Sequence, residues 1–264
     1  MFVKIFCFLF FLFCSMNTAA EGVAVKSKSP PIRLFLQENL DAKGRQIPVE
    51  EKVHQIIRFF ERETGLKFEP IILPWKRAQV ETLNGEGIIY GFSKSVERMK
   101  LYHFSQALIT EKVWAITYGE PKPHFKNVED LSGKVISIGR GFSHGLEFDQ
   151  ARGKIFTVEE DSASTAARFK KIVAKRSDLM LWPVRNMETS KQVEDYVNKV
   201  LIPEASDPEL RHRRFDVSDK PMFYDTVHFA SAKGKYEDAI NKIDRAMEKG
   251  MRSGELPRVL KGYH

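Results

Sequence analysis

Apolar positions along this chain follow two rhythms, short unbroken runs and longer segments in which they return every three or four residues. Ile32-Arg33-Leu34-Phe35-Leu36 reads as a first strand. Residues 49–64 follow with Val53, Ile56, Ile57 and Phe60 at helical spacing, and Gly65 supplies a terminator. A second strand is expected over 67–73, ended by Pro74, and a second helix over 75–84, stopped by Gly85 and Gly87. A third strand occupies 88–92, where Tyr90 and Phe92, two apart, are expected on the same side. Strand, helix, strand, helix, strand at this spacing implies parallel pairing with right-handed crossovers.

The rhythm then restarts. Strands are expected at 113–118, 135–138, 155–158 and 178–182, with a helical turn at 127–131 and helices at 143–151, 162–175 and 190–197. In the 162–175 helix the inner face reads as Ala166, Phe169, Ile172 and Val173. The final section departs from this series: a strand at 226–232, a strongly periodic helix at 236–253 carrying Tyr236, Ala239, Ile240, Ile243, Met247 and Met251, and a short helix from Leu256 to Leu260. The pattern is therefore α/β, two units in series plus a C-terminal piece, with no internal repeat or low-complexity tract.

The first twenty residues form a pattern of their own. One lysine, Lys4, precedes an apolar run from Ile5 to Phe13, and Thr18-Ala19-Ala20 offers small residues for a peptidase. This reads as a signal peptide, cut after Ala20. The run is short against the roughly twenty residues that a bilayer-spanning helix needs. A retained anchor and lipidation at Cys14 stay open as alternatives, the second disfavoured by the bulk of Phe13. Both cysteines, Cys7 and Cys14, fall in this segment, so the mature chain has no disulfide, thiol nucleophile or thiolate ligand. Residues 21–30 read as a polar Lys/Ser/Pro linker, and no membrane span is expected in the mature chain. The net charge of +7 does not signal nucleic acid, because 42 Lys and Arg are interleaved with 35 Asp and Glu. A solvated mixed surface, or a pocket that prefers anions, accounts for it.

Four segments carry a resemblance. Pro74-Trp75-Lys76-Arg77-Ala78 heads the second helix; Gly91-Phe92-Ser93-Lys94-Ser95-Val96-Glu97-Arg98 ends the third strand in an "ER" turn; His103-Phe104-Ser105 follows; and Asn127-Val128-Glu129-Asp130-Leu131-Ser132-Gly133-Lys134-Val135 leads into Gly139-Arg140-Gly141. In this order and spacing they resemble the family 3 bacterial extracellular solute-binding proteins, the polar amino-acid-binding type, over roughly 32–260. The resemblance implies a two-lobed periplasmic binding protein type II fold, each lobe a mixed, mainly parallel sheet flanked by helices. Lobe 1 would comprise 31–115 plus 225–264 and lobe 2 would comprise 118–220, with ligand in the cleft between them.

It also implies a ligand set. Arg98 matches the family arginine that forks onto a ligand carboxylate; an exposed arginine paired with Glu97 is the competing view. Ser93 would donate to the same ligand, and Trp75 and Phe92 would wall the cleft, with burial in the core as the competing view of both rings. Gly141, Phe142 and Ser143, between a strand and a helix, would hold an anion on free N–H groups; a tight turn capped by Ser143 is the alternative. Trp182 ends a second-lobe strand and would reach the cleft. His144 as a general base has no visible partner, and Lys76 and Arg77 read as solvent-facing. The family acid that pairs with a ligand ammonium falls on Pro183, so a standard α-amino acid lacks its partner here unless Glu38 compensates.

The expectation is thus a monomeric, non-enzymatic periplasmic protein without cofactor or metal. It would capture a small polar, anionic solute and hand it to an inner-membrane transporter or a sensor. A dehydratase-like periplasmic enzyme and a partner-docking accessory protein are the alternatives on the same fold.

Overall fold

The first strand, β1 (Ile32–Gln37), buries Leu34, Phe35 and Leu36 in succession. A strand apolar on both faces belongs inside a parallel sheet covered on both sides. The computed structural model describes residues 30–119, 124–161 and 164–263. The expected signal segment, 1–20, and all but Pro30 of the linker lie outside the described residues.

β2 (Phe68–Leu73) and β3 (Ile88–Ser93) flank β1, both parallel to it. The crossovers are α1 (Glu51–Thr64), which buries Val53, Ile56, Ile57, Phe59 and Phe60, and α2 (Trp75–Leu83), which buries Trp75, Ala78 and Thr82. The short α3 (Val96–Leu101), capped by Ser95, and β4 (Tyr102–Phe104) come next. They escape the sequence pattern because α3 buries none of its residues and so has no apolar stripe to display.

β5 (Ile109–Thr117) leads into the second half, which contains a 3-10 turn at Val128–Leu131, β6 (Val135–Gly139), α4 (Leu146–Ala151), β7 (Thr157–Asp161), α5 (Thr165–Val173) and β8 (Leu179–Val184). α6 (Ser190–Tyr196) continues through a π-helical stretch at Val197–Leu201 into α7 (Ile202–Glu204), longer than the helix expected at 190–197. The two-residue β9 (Asp216–Val217) pairs with β5. β10 (Phe223–Ala232), α8 (Glu237–Arg252) and α9 (Glu255–Leu260) close the chain.

One sheet runs through the molecule in the order β2-β1-β3-β10-β5-β8-β6-β7. Its two ends are parallel; the strands in the middle, β10 and β5, are antiparallel to their neighbours. The long strands β5 and β10 thus tie two lobes together. In the first, Phe60 of α1, Leu34 of β1, Phe229 of β10 and Ile243 of α8 share one apolar cluster. In the second, β5 and β8 send Val113, Ala115, Leu179 and Leu181 to one face and Trp114, Ile116 and Met180 to the other. The C-terminal piece that looked out of series is the antiparallel insertion of β10 and the helix that covers it.

β3 holds a local surprise. His228 of β10 pairs with Phe92 and the adjacent Phe229 with Tyr90, leaving Gly91 as the extra residue of a bulge. Gly91 has φ 77°, open to glycine at little cost. The extra residue reverses the alternation beyond it. Tyr90 packs into the cluster with Phe60, whereas Phe92 joins Phe35, Trp75 and Ile89 on the opposite face. The expectation that Tyr90 and Phe92 share a side is therefore corrected.

Candidate functional site

A cleft of about 490 Å³ lies between the lobes. From the first lobe it is lined by the end of β1 with Glu38, by Trp75 and Lys76 of α2, and by Tyr90 and Gly91 of β3. From the second it is lined by Arg140 and Phe142 after β6, by Thr165 and Arg168 of α5, and by Trp182, Pro183 and Arg185 of β8 and its exit. Strand ends and helix starts meet here, the usual place for a ligand in an α/β fold. Trp75 is fixed by its place as the first residue of α2, with its ring edge-on to Phe92 at 5.7 Å and to Phe142 at 6.3 Å. That last contact crosses from one lobe to the other.

Beside the cleft the lobes are clasped. Arg98 donates from Nη1 to the Ser93 carbonyl at 2.9 Å and from Nη2 to the Gly141 carbonyl at 2.7 Å, with its guanidinium 4.1 Å from the Phe92 ring centroid. Gln79 donates to the same Gly141 carbonyl at 3.0 Å, and the Gly141 N–H donates to Glu160 at 3.0 Å. The Ser93 hydroxyl donates to the Ser143 carbonyl at 3.3 Å. On another side, Leu40 forms a bridge with Ser164, whose hydroxyl donates to the Asp41 carbonyl at 3.5 Å.

Loss of water contact pulls Arg98 down to about 10 although Asp149, Asp225 and Glu160 favour its charged form. Burial would raise Glu160, but Arg152, the Gly141 N–H and Lys76 outweigh it and hold this carboxyl below its usual range. Burial lifts Asp225 to about 7, against the influence of the Ser93 hydroxyl beside it and with the Glu111 charge adding to the rise. Burial, with the charges of Arg168 and Arg98, drops His144 to about 3, so this imidazole is neutral near pH 7. Within the cleft, Arg185 is paired with Glu111 at 2.5 Å and lies 3.9 Å over the ring of Tyr263.

The residues singled out by sequence divide into two groups. Glu38, Trp75, Phe142 and Trp182 line the cleft. Arg98, Ser93, Phe92, Gly141 and Ser143 are not among its lining residues and belong to the clasp or the core beneath it. The expected helix at 143–151 starts only at Leu146, after Gly145, and Ser143 donates to Asp149 at 2.7 Å instead of capping it. Two of the three N–H groups expected to hold an anion are occupied, Gly141 by Glu160 and Phe142 by the Gly139 carbonyl. Lys76 lines the cleft as well as facing solvent.

The reading of sequence missed Arg168, which is 6 % exposed. Its signal was the Thr165-x-x-Arg168 spacing, which puts both side chains on one face of α5. Among the described residues, no group of His, Cys, Asp and Glu is arranged to hold a metal, and no helix is long and apolar enough to cross a membrane.

No known family model matches the sequence, and no curated protein sequence matches it. Solved structures do. A mutant of ArgBP from T. maritima superposes with a TM-score of 0.61 at 16 % identity, over 87 % of this chain and 93 % of that one. An amino acid ABC transporter substrate-binding protein from Streptococcus pneumoniae, bound to L-arginine, gives 0.60 at 16 %, over 87 % and 93 %. An ancestral amino acid-binding protein, a precursor of cyclohexadienyl dehydratase, gives 0.61 at 17 %, over 88 % and 94 %. The shared feature is the two-lobed fold of periplasmic binding proteins.

Proposed function

We propose that this chain is a periplasmic solute-binding protein that captures a small organic anion between its lobes and delivers it to an inner-membrane transporter or a sensor. The reading takes 31–115 plus 225–264 as the first lobe, 118–220 as the second, and 1–20 as a cleaved signal peptide. The observation that carries it is the cleft itself: a space between two lobes, aromatic on several sides, with Arg140 and Arg168 on its wall. No carboxylate is within ion-pair distance of either arginine among the described residues. Cationic groups with low-dielectric walls concentrate anions. Pro183, where the resemblance puts the acid for a ligand ammonium, lies on the cleft wall and offers no charge.

Asp225 and His144, a carboxyl shifted to about 7 and an imidazole shifted to about 3, do not line the cleft, which favours binding over acid–base turnover. Titration calorimetry of residues 21–264 against a broad panel of organic anions, neutral solutes and cations tests the reading. Saturable binding of an anion at one site per chain is expected. A well-folded protein that binds nothing across the panel would sink it.

A further inference from the structure

We infer that Arg168, with Thr165 at the head of α5 and Arg140 on the rim, forms a carboxylate-binding subsite of the second lobe that selects a flat, aromatic monocarboxylic acid. This rests on the solute-binding reading above and names the ligand class and its anchor.

Arg168 is held in place without being neutralised. Its Nη2 donates to the Ser137 carbonyl at 3.2 Å and the Leu181 carbonyl at 2.9 Å, while its buried Nε has no partner. Nη1 has none among the described residues. Other enclosed guanidinium groups fare differently. Arg185 has Glu111, and Arg98 has three carboxylates nearby and two carbonyls spanning its fork. The acid that Arg168 feels is Asp161, which is already bonded by Lys171 and by the Ser137 hydroxyl, both at 2.5 Å. A buried cation without an ion-pair partner is costly, and a ligand carboxylate bonded at the open Nη1 would supply one.

Two further features point the same way. α5 begins with Thr165 on the cleft wall and carries no acidic residue in its first turn, so the positive end of the helix is not offset by its own side chains. Arg140 is exposed on the same wall and has no ion pair among the described residues.

The body of the ligand follows from the remaining walls. The Trp182 ring lies 5.6 Å from the Arg168 guanidinium, and Trp75, Tyr90 and Phe142 line the same space. Such rings favour a planar apolar partner. Glu38, Glu50 and Glu204 also line the cleft and would repel a second carboxylate, which restricts the ligand to one.

The probes are phenylacetate, cinnamate and indole-3-acetate, their primary amides, and phenylalanine and tryptophan, titrated into residues 21–264. At least one of the three acids should bind, its amide about tenfold or more weaker. Arg168→Lys keeps the charge and loses the fork; melting at the wild-type temperature, it should bind that acid about tenfold weaker. Arg140→Gln should weaken binding about threefold, less at high salt. If Arg168→Lys does not fold, the Arg168 Nε–H resonance of the ¹⁵N-labelled wild type is followed instead and should shift saturably with the acid. Undiminished binding by folded Arg168→Lys, an unmoved Nε–H signal, equal binding of acid and amide, or preference for the amino acids overturns the inference. Failure of all these probes beside saturable binding of another solute in the broad panel also overturns it and leaves the solute-binding reading standing. Failure of every solute overturns both.

Discussion

Asp225 brings pH into this structure. It is 3 % exposed on β10, and burial raises its carboxyl from 3.8 to about 7. The folded state therefore favours the protonated form, so the stability it confers is complete below about pH 4 and disappears as the pH climbs through 7. His144 acts in the opposite sense. With its pKa lowered from 6.5 to about 3, the fold favours neutral imidazole and loses stability as the pH falls below 6.5. The two effects offset one another between pH 4 and 6.5, and Asp225→Asn separates them. The variant should exceed the wild type in stability at pH 8 by on the order of 2–4 kcal/mol, with the advantage fading towards pH 4. Thermal melts at pH 4, 6 and 8 measure this; parallel curves for the two proteins would remove Asp225 from the account.

In the first lobe α8 packs closely against α1 and α9. Gly250 faces Phe59 there, and a Cβ on it would stand 2.6 Å from Phe59 Cζ and 2.9 Å from Leu256 Cβ. In an exposed helix, glycine to alanine gains up to about 1 kcal/mol of propensity. Here the added methyl meets a fully packed ring on one side and the head of α9 on the other, and overpacking of this kind costs about 1–3 kcal/mol. Gly250→Ala is therefore expected to lower stability by about 1–2 kcal/mol, read from urea unfolding at constant slope. A stabilised variant would mean that α8 and α9 shift freely, contrary to their burial of Ala246, Met247 and Leu256.

At the scale of the molecule, the clasp at Gly141 holds the lobes together through groups that belong to the protein. Its bonds run from Arg98 and Gln79 to one carbonyl, and from that residue's N–H to Glu160. Lobes joined in this way have little room to close further around a ligand. Small-angle scattering should give wild-type protein nearly the same radius of gyration with and without solute. Arg98→Ala removes two bonds, and the ligand-free variant is expected to be larger and to contract on binding. If variant and wild type scatter identically, the clasp does not control lobe closure. At the same scale the charge of +7 is spread over a mixed surface, where ion pairs such as Arg33–Glu86, Arg77–Glu81 and Lys191–Asp195 offset part of the lysines and arginines.

Periodicity alone determined the strands and helices that bury an apolar face: β1, α1, β2, α2 and α8 differ from their expected bounds by at most two residues. Local chemistry sufficed because each of these elements satisfies its own backbone and displays its burial in its spacing. Glu38, Trp75, Phe142 and Trp182 likewise reach the cleft from positions that their places at element ends make plain. Short α3, with no buried residue, gave no such pattern. Nor did the Gly91 bulge, which depends on pairing with a strand more than a hundred residues away and reverses the faces of Tyr90 and Phe92. The two arginines make the same point. Arg98 and Arg168 are alike in sequence, each a charge near the start of a helix. Tertiary packing gave Arg98 the carbonyls of Ser93 and Gly141 and kept it off the cleft lining, and it left Arg168 on the cleft wall with a buried nitrogen unbonded. Which charge remains available to a ligand depends on the acceptors that other segments bring to it, and those are fixed only when the lobes meet.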